Sequence, residues 1–423
     1  MLSAVVGVNW GDEGKGRMVD LLSRDYDVVV RYQGGNNAGH TVVNDRGQFV
    51  LNLLPSGIFN ENTVNVLGTG MVIDIEHLWG EIDKLTARGI AITPDNLKIS
   101  EKAIICTPYH KLLDELEEDR LGNDAQGSTR RGIAPAYSDK YYRKALRLGD
   151  LLNFDTLDGK LEPIIGFKNS LLAGYGAAAI DEGALTAWLR TYGEKLAPFI
   201  TNTEKFLDDA AGAGKNILFE AQLGTLRDVD FGIYPYTTSS NALAAYAPIG
   251  GGVPGRRLDR VIGIVKAYSS SVGGGPFTVE MDGAEAEALR EAGGEYGAAT
   301  GRPRRVGAFD VVASLFGVKM QGADELALTK LDVLSYMDTI PVCVAYDVNG
   351  TRTTDFPTGD ALEVAKPIYE YLPGFKTDIS KCRDFAELPQ AARDYVRYIE
   401  SAVGAKIRYV SVGASREDYI ELK

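Results

Sequence analysis

The segment Gly11-Asp12-Glu13-Gly14-Lys15-Gly16 packs three glycines, two carboxylates and one lysine into six positions. Glycines let backbone N–H groups converge on anionic oxygens, a following helix adds partial positive charge, and Lys15 adds a full one. The segment therefore resembles a phosphate loop. It is not a Walker A, because Gly16 stands where a Mg²⁺-ligating Ser or Thr belongs. Asp12 is then the nearest hard oxygen donor for a cation. A plain strand-to-helix turn with a solvated lysine also satisfies this pattern, so phosphate binding needs support from elsewhere.

Three further segments give that support. Gly34-Gly35-Asn36-Asn37-Ala38-Gly39-His40-Thr41 combines small and amide residues with His40, one of three histidines alongside His77 and His110. An imidazole there can exchange a proton near neutral pH. Thr329-Lys330-Leu331-Asp332 resembles the guanine-reading NKxD motif of GTPases with Thr for Asn. A carboxylate accepts both guanine N1–H and the exocyclic amine, an arrangement adenine does not offer. A capped strand end is the alternative reading. Gly301-Arg302-Pro303-Arg304-Arg305 sets three guanidinium forks on a proline-stiffened loop, suited to carboxylates or phosphates, although a surface salt-bridge cluster has the same composition.

The elements that must position these groups follow from apolar periodicity. Leu2 to Val8 reads as a buried strand, and Lys15 to Ser23 as a helix with Met18, Leu21 and Leu22 on one face. Further strand-like runs lie at Val28 to Tyr32, Phe49 to Leu54, Val64 to Leu67, Asn216 to Phe219, Arg260 to Tyr268, Leu326 to Leu331, Ile340 to Tyr346 and Ile407 to Val412. Helical periodicity lies between many of them, as at Leu78, Ile82 and Leu85. The expectation is an α/β fold with one large, predominantly parallel sheet covered on both faces. Residues 109–206 are mostly helical in pattern and read as an inserted subdomain within a single domain of residues 1–423.

Composition narrows the function classes. The net charge of -13, from 58 acidic and 45 basic residues, opposes a general nucleic-acid surface, so phosphates must be bound in local pockets. No apolar run reaches the roughly 18 residues needed to span a bilayer. The N-terminus lacks a basic n-region, and Cys106, Cys343 and Cys382 form no CxxC. A cytoplasmic protein with neither disulfide framework nor zinc site is the expectation.

Taken in order, these blocks resemble the adenylosuccinate synthetase family from about Val5 to Ile420. The resemblance is carried by Trp10 to Gly16, by Gly132-Ile133-Ala134-Pro135-Ala136-Tyr137 with Lys140 and Arg143, and by Tyr234-Pro235-Tyr236 with Thr238-Ser239-Ser240-Asn241. Gly301 to Arg305, Thr329 to Leu334 and Leu372-Pro373-Gly374 complete it.

The resemblance implies a P-loop-NTPase-like fold and a GTP-dependent ligation of L-aspartate to IMP through 6-phosphoryl-IMP. It implies Asp12 as general base and His40 as acid, with Mg²⁺ held by Asp12 and the Gly39 backbone. GTP would be surrounded by Gly11, Glu13, Gly14, Lys15, Gly16, Gly39, Thr41, Arg304, Lys330, Asp332, Ser411 and Gly413. IMP would meet Asp12, Lys15, Asn37, His40, Thr129, Gln222, Thr238 and Arg302, with Arg143 donated across a homodimer interface. Aspartate would lie against Ala298, Ala299, Thr300, Gly301, Arg302 and Arg304.

The sequence departs from the family pattern at several positions, those near Gln222 bearing on the purine. The usual Gly-Ala-Gln-Gly reads Glu220-Ala221-Gln222-Leu223-Gly224, so the glutamine falls at Gln222 only with a local backbone shift, and otherwise Leu223 takes its place. Asn9, Ala134, Ser271 and Ala299 replace the usual Gln, Gly, Arg and Thr. A ligase of the same mechanism on a 2-amino purine nucleotide and a non-catalytic GTP-binding protein are the competing readings.

Overall fold

The strand runs read from the sequence are short and apolar on both sides, which suits strands buried between two helical layers. The computed structural model describes residues 1–297 and 301–422. Its main sheet has ten strands, in the spatial order Tyr419–Glu421, Lys406–Ser411, Glu325–Thr329, Arg260–Lys266, Leu2–Gly7, Ile217–Glu220, Val28–Arg31, Val64–Leu67, Leu97–Ser100 and Ile200–Thr201. Nine run parallel, and only Tyr419–Glu421 is antiparallel to its neighbour. Leu2–Gly7 lies near the centre and is wholly buried. Its two faces feed two cores. Val5 packs with Met18, Val19 and Ile262, while Ala4 and Val6 pack with Val30, Phe219 and Leu207.

One large, predominantly parallel sheet is present as expected, and two of the apolar runs lie outside it. Thr339–Val348 pairs antiparallel with Lys366–Pro373 and Thr351–Thr353 in a separate four-stranded sheet. The run from Phe49 begins within Gly47–Leu51, a hairpin partner of His40–Asn44, and continues past the strand end. Apolar content marks a strand without saying which sheet it joins. The half-exposed alternation of these strands suits antiparallel pairing with one solvated side.

Between the Leu97–Ser100 and Ile200–Thr201 strands lie four helices, Pro108–Leu121, Ile133–Tyr142, Leu157–Gly174 and Glu182–Leu196. Apolar residues of three of them, including Leu113, Leu161, Ile165 and Leu189, join the largest core cluster together with Leu97 and Ile99 of the sheet, while Ile133, Ala136 and Tyr137 pack with Val72, Ile104 and Cys106 in a smaller one. No helix among the described residues is long and apolar enough to cross a membrane. Because parallel strands all end on the same side, the turns after Gly7, Arg31, Glu220, Lys266 and Thr329 gather at one edge. Three of the four motif segments follow these strand ends directly or within a few residues.

Candidate active site

The Gly11–Gly16 turn is held by Glu13. Its Oε1 accepts the Asn9 and Gly11 backbone N–H groups at 3.1 and 2.8 Å, and its Oε2 accepts from Lys15 Nζ at 2.6 Å. The Glu13 carboxylate thus serves the loop itself, leaving its backbone to face a ligand. Gly14 adopts a left-handed conformation as the N-cap of Lys15–Leu22, with no side-chain cap on the helix start. That leaves the helix end suited to an anion. Asp12 also has positive φ, 58°, and its carboxylate meets Arg304 Nη2 at 3.1 Å. Thr329 Oγ1 donates to the Glu13 carbonyl at 2.7 Å, so the phosphate loop and the Thr-Lys-Leu-Asp segment are in direct contact.

His40 enters on the other side of the same turn. A Cβ at Gly16 would lie 2.7 Å from the His40 Cβ, so only glycine permits this approach. His40 Nδ1 is 2.6 Å from Glu220 Oε1, and Glu220 also accepts from the Ser56 hydroxyl at 2.6 Å and the Ser56 N–H at 2.8 Å. Burial lowers the His40 pKa, against the opposing pull of Glu220. Burial also pushes the Glu220 carboxyl up, but its contacts with His40, Arg31 and Ser56 outweigh this and hold it below the ordinary value. Glu220 thus holds the Nδ1 side of the ring, and Nε2, with no hydrogen bond among the described residues, is left for a ligand. Gly39 and Thr41 flank it, both half-buried, and the Asn37 side chain accepts from the Gly35 N–H at 3.2 Å. Tyr137 of the Ile133–Tyr142 helix braces this turn, accepting from the Gly34 N–H at 2.7 Å and donating to the Gly70 carbonyl at 2.8 Å.

At the far end, Asp332 lies just beyond the Glu325–Thr329 strand. Its Oδ1 is buried without a hydrogen-bond partner among the described residues, and burial raises its pKa. An unpartnered buried acceptor is costly in isolation, which makes it fit to receive a ligand N–H pair. Ser411 is buried nearby in sequence with Gly413, its hydroxyl donating to the Gly413 carbonyl at 3.0 Å, and Arg17 donates to both. Lys330 does not point to solvent. Its Nζ donates to the Gly293 carbonyl at 2.6 Å and to Glu295 at 2.9 Å.

The arginine segment divides into separate tasks. Arg304 is shared between Asp12 and Glu295, Arg305 pairs with Glu280, and Arg302 and Gly301 are exposed. Ala298, Ala299 and Thr300 lie outside the described residues. Among the other expected purine contacts, Thr238 is half-buried with its N–H on the Arg227 carbonyl at 2.8 Å, and Thr129 is exposed. Arg143 caps the exposed end of the Ile133–Tyr142 helix, beside Tyr141 and Tyr142, which are 69% and 61% exposed.

Gln222 packs against the Gly34 turn. It is fully buried, its Nε2 donates to the Gln33 carbonyl at 2.8 Å, and Gln33 Nε2 returns a bond to the Gln222 carbonyl at 2.7 Å. Gly34 leaves room for that amide, since a Cβ there would sit 1.3 Å from Gln222 Nε2. Leu223, at φ 61°, lies against Gly11 instead. Gln222 Oε1 is buried without a hydrogen-bond partner among the described residues. At Ser271 a guanidinium is nevertheless present. Arg227 Nη2 donates to the Ser271 hydroxyl at 2.8 Å and to the Val272 carbonyl at 2.6 Å.

Sequence reasoning assigned no role to Glu220, Arg31, Glu295, Arg17 or Arg227. The first two carried a signal. Adjacent parallel strands read Val-Val-Val-Arg and Ile-Leu-Phe-Glu, each ending an apolar run in a charge, and Glu220 and Arg31 are direct register partners. A charge buried at such a point needs a partner or a function.

Comparison with known proteins identifies the family. Residues 4–420 match the family model described as adenylosuccinate synthetase. The chain is 46% identical to the adenylosuccinate synthetase of Bifidobacterium adolescentis over 420 residues, covering 99% of this chain and 98% of that one. It is 47% identical to that of Frankia casuarinae over 415 residues, covering 98% and 97%. Among solved structures, fully ligated adenylosuccinate synthetase from Plasmodium falciparum superposes with TM-score 0.94 at 35% identity, covering 100% of this chain and 99% of that chain.

Proposed function

Because the chain belongs to the adenylosuccinate synthetase family, we propose that the edge carrying Asp12, His40 and Asp332 performs the GTP-dependent ligation of L-aspartate to IMP. The protein is a ligase forming a C–N bond in AMP biosynthesis, and GTP is its energy donor. The single observation that carries the site reading is the contact of the phosphate loop with both neighbouring motifs, through Gly16 against His40 and Glu13 against Thr329.

Asp12 takes the proton from N1 of IMP, and the electron density released makes O6 a nucleophile toward the γ-phosphoryl group. GDP leaves and 6-phosphoryl-IMP forms. The aspartate amine then attacks C6, loses a proton and displaces inorganic phosphate. An anionic phosphoryl oxygen beside His40 Nε2 favours the imidazolium, whose Nε2–H then donates to the developing charge while Glu220 holds Nδ1. Asp332 receives guanine, with Ser411, Gly413 and Lys330 around it. Gly11, Gly14, Lys15, Gly16 and Thr41 face the phosphates together with Arg304. Asn37, Thr129, Thr238 and Arg302 belong to the IMP subsite, and the 298–304 loop to aspartate.

For Mg²⁺ the donor set fits. The described residues contain no cluster of three metal-ligating side chains, so an all-protein cage is not offered, but the half-exposed Asp12 carboxylate and the Gly39 backbone suit a cation that also takes phosphate oxygens. Such an ion supplies charge neutralisation on the phosphates. A homodimer in which Arg143 crosses to the neighbouring site accounts for the exposed Tyr141-Tyr142-Arg143 end, and a cytoplasmic location suits the substrates.

The test is direct. Purified protein with GTP, Mg²⁺, L-aspartate and IMP should give adenylosuccinate, GDP and phosphate in equal amounts, with none when aspartate is omitted. Product from GMP but not from IMP would overturn the choice of purine.

A further inference from the structure

We propose that Glu295 is a positioning residue that ties the guanine side of the site to the 301–304 segment assigned to aspartate, so that nucleotide and aspartate are bound as one coupled unit. The inference rests on the assignment of subsites above.

Glu295 is completely buried, yet its carboxylate meets three cations. Lys266 Nζ lies 2.9 and 3.0 Å from its two oxygens, Lys330 Nζ 2.9 Å from Oε1, and Arg304 Nη1 2.9 Å from Oε2. The Tyr268 hydroxyl donates to it as well. Each partner belongs to a different part of the site. Lys330 is the residue before the Leu331–Asp332 pair, Lys266 ends a central strand, and Arg304 also pairs with Asp12 of the phosphate loop.

The main chain repeats the connection. Glu295 and Arg304 stand on the two stems of the loop, where the Arg304 N–H donates to the Glu295 carbonyl at 2.9 Å and the Gly297 N–H to the Arg302 carbonyl at 2.8 Å. Lys330 touches the same stem through Gly293. Three cations face two carboxylates, Glu295 and Asp12, and the surplus positive charge suits anionic ligands on either side. A ligand that draws on Lys330 or Arg304 must therefore act on the stem through Glu295. Two sites biased by one shared element are energetically coupled, and the coupling is reciprocal.

The test uses the full-length chain and steady-state kinetics with GTP, IMP, L-aspartate and Mg²⁺. Glu295→Gln keeps the shape and removes the charge. It should raise the KM for aspartate and the KM for GTP at least tenfold each, with kcat falling less than fivefold because Asp12 and His40 remain. Lys330→Gln approaches from the other side and does not depend on burying an uncharged residue at 295. It should raise the aspartate KM at least threefold, which a guanine contact alone does not do. In the Glu295→Gln background the same change should leave the aspartate KM unmoved. If Glu295→Gln does not fold, Lys330→Gln decides by the same threefold criterion. An aspartate KM within twofold of the unaltered chain in a folded variant overturns the inference, as does a loss confined to kcat. An unaltered chain without turnover refutes the ligase reading and this inference with it, whereas an active one with unmoved KM values refutes this inference alone.

Discussion

Among the described residues are two buried histidine–carboxylate pairs, and they do different things. His40 gives Nδ1 to Glu220 at 2.6 Å and has no hydrogen bond at Nε2 among the described residues. His110, between two helices of the insert, uses both ring nitrogens. Nδ1 accepts from the Thr107 N–H at 3.0 Å, closing a capping box, and Nε2 meets Asp139 at 2.8 Å, while Asp139 is also paired with Lys168. Burial lowers the pKa of both histidines, and a carboxylate opposes it in both. The pairing and the direction of the shift are thus common to the two. What separates them is the second nitrogen, free beside a glycine turn in one and sealed inside the fold in the other. A perturbed histidine with a carboxylate partner marks a reactive group only when it retains an unused atom at a ligand surface.

The sharpest break of this comparison is to remove each ring. His40→Ala should lower kcat by about 10² or more with GTP binding retained, since general acid–base groups contribute about 10²–10⁴. Retained turnover would place His40 with His110 as a packing residue. Glu220→Gln should cost less, about 10-fold in kcat, because the acid remains and only its orientation and charge balance are lost. Its sign is informative. Without the carboxylate the imidazolium is less stable, so the alkaline limb of the kcat profile should move to lower pH, and an unmoved limb would separate Glu220 from the proton step. His110→Ala should instead destabilise the chain by about 2–4 kcal/mol through a cavity and an unmatched Thr107 N–H, with kcat of the folded protein within twofold. Thermal unfolding and turnover of the same samples separate these effects.

This contrast also explains what the sequence could and could not reveal. His40 was legible because glycines surround it, and the parallel strands were legible because they are uniformly apolar. Glu220 sits in sequence beside Gln222 but in space beside His40, 180 residues away, a pairing that depends on strand order. Strand order is set by crossover connections that local periodicity does not encode. The same holds for Glu295, whose three cationic partners come from three chain segments. At Gln222 the limit was local: residue types alone did not reveal the positive φ at Leu223 or the reciprocal Gln33–Gln222 bonds.

A third kind of buried ionisable group sharpens the comparison further, one with hydrogen bonds but no opposite charge. Asp310 is fully buried at the N-cap of the Val311–Gln321 helix, accepting from the Ala313 N–H at 3.0 Å and from the Tyr346 hydroxyl. Burial pushes its carboxyl up to about 6 from the ordinary 3.8. Its folded pKa therefore exceeds its unfolded value, so between about pH 4 and 6 the folded state holds the extra proton. The stability Asp310 contributes is full below the unfolded pKa and is lost as pH rises through the folded one, an amount on the order of 1–3 kcal/mol. Asp310→Asn keeps an oxygen acceptor suited to an N-cap but has nothing to titrate. Denaturant unfolding across this window should show the variant lacking that part of the decline, while its kcat stays within twofold at each pH. An unchanged slope would mean that Asp310 is ionised in the fold and that hydrogen bonds alone suffice to hold a buried carboxylate charged, which would remove the need for cationic partners at Glu220 and Asp139 as well.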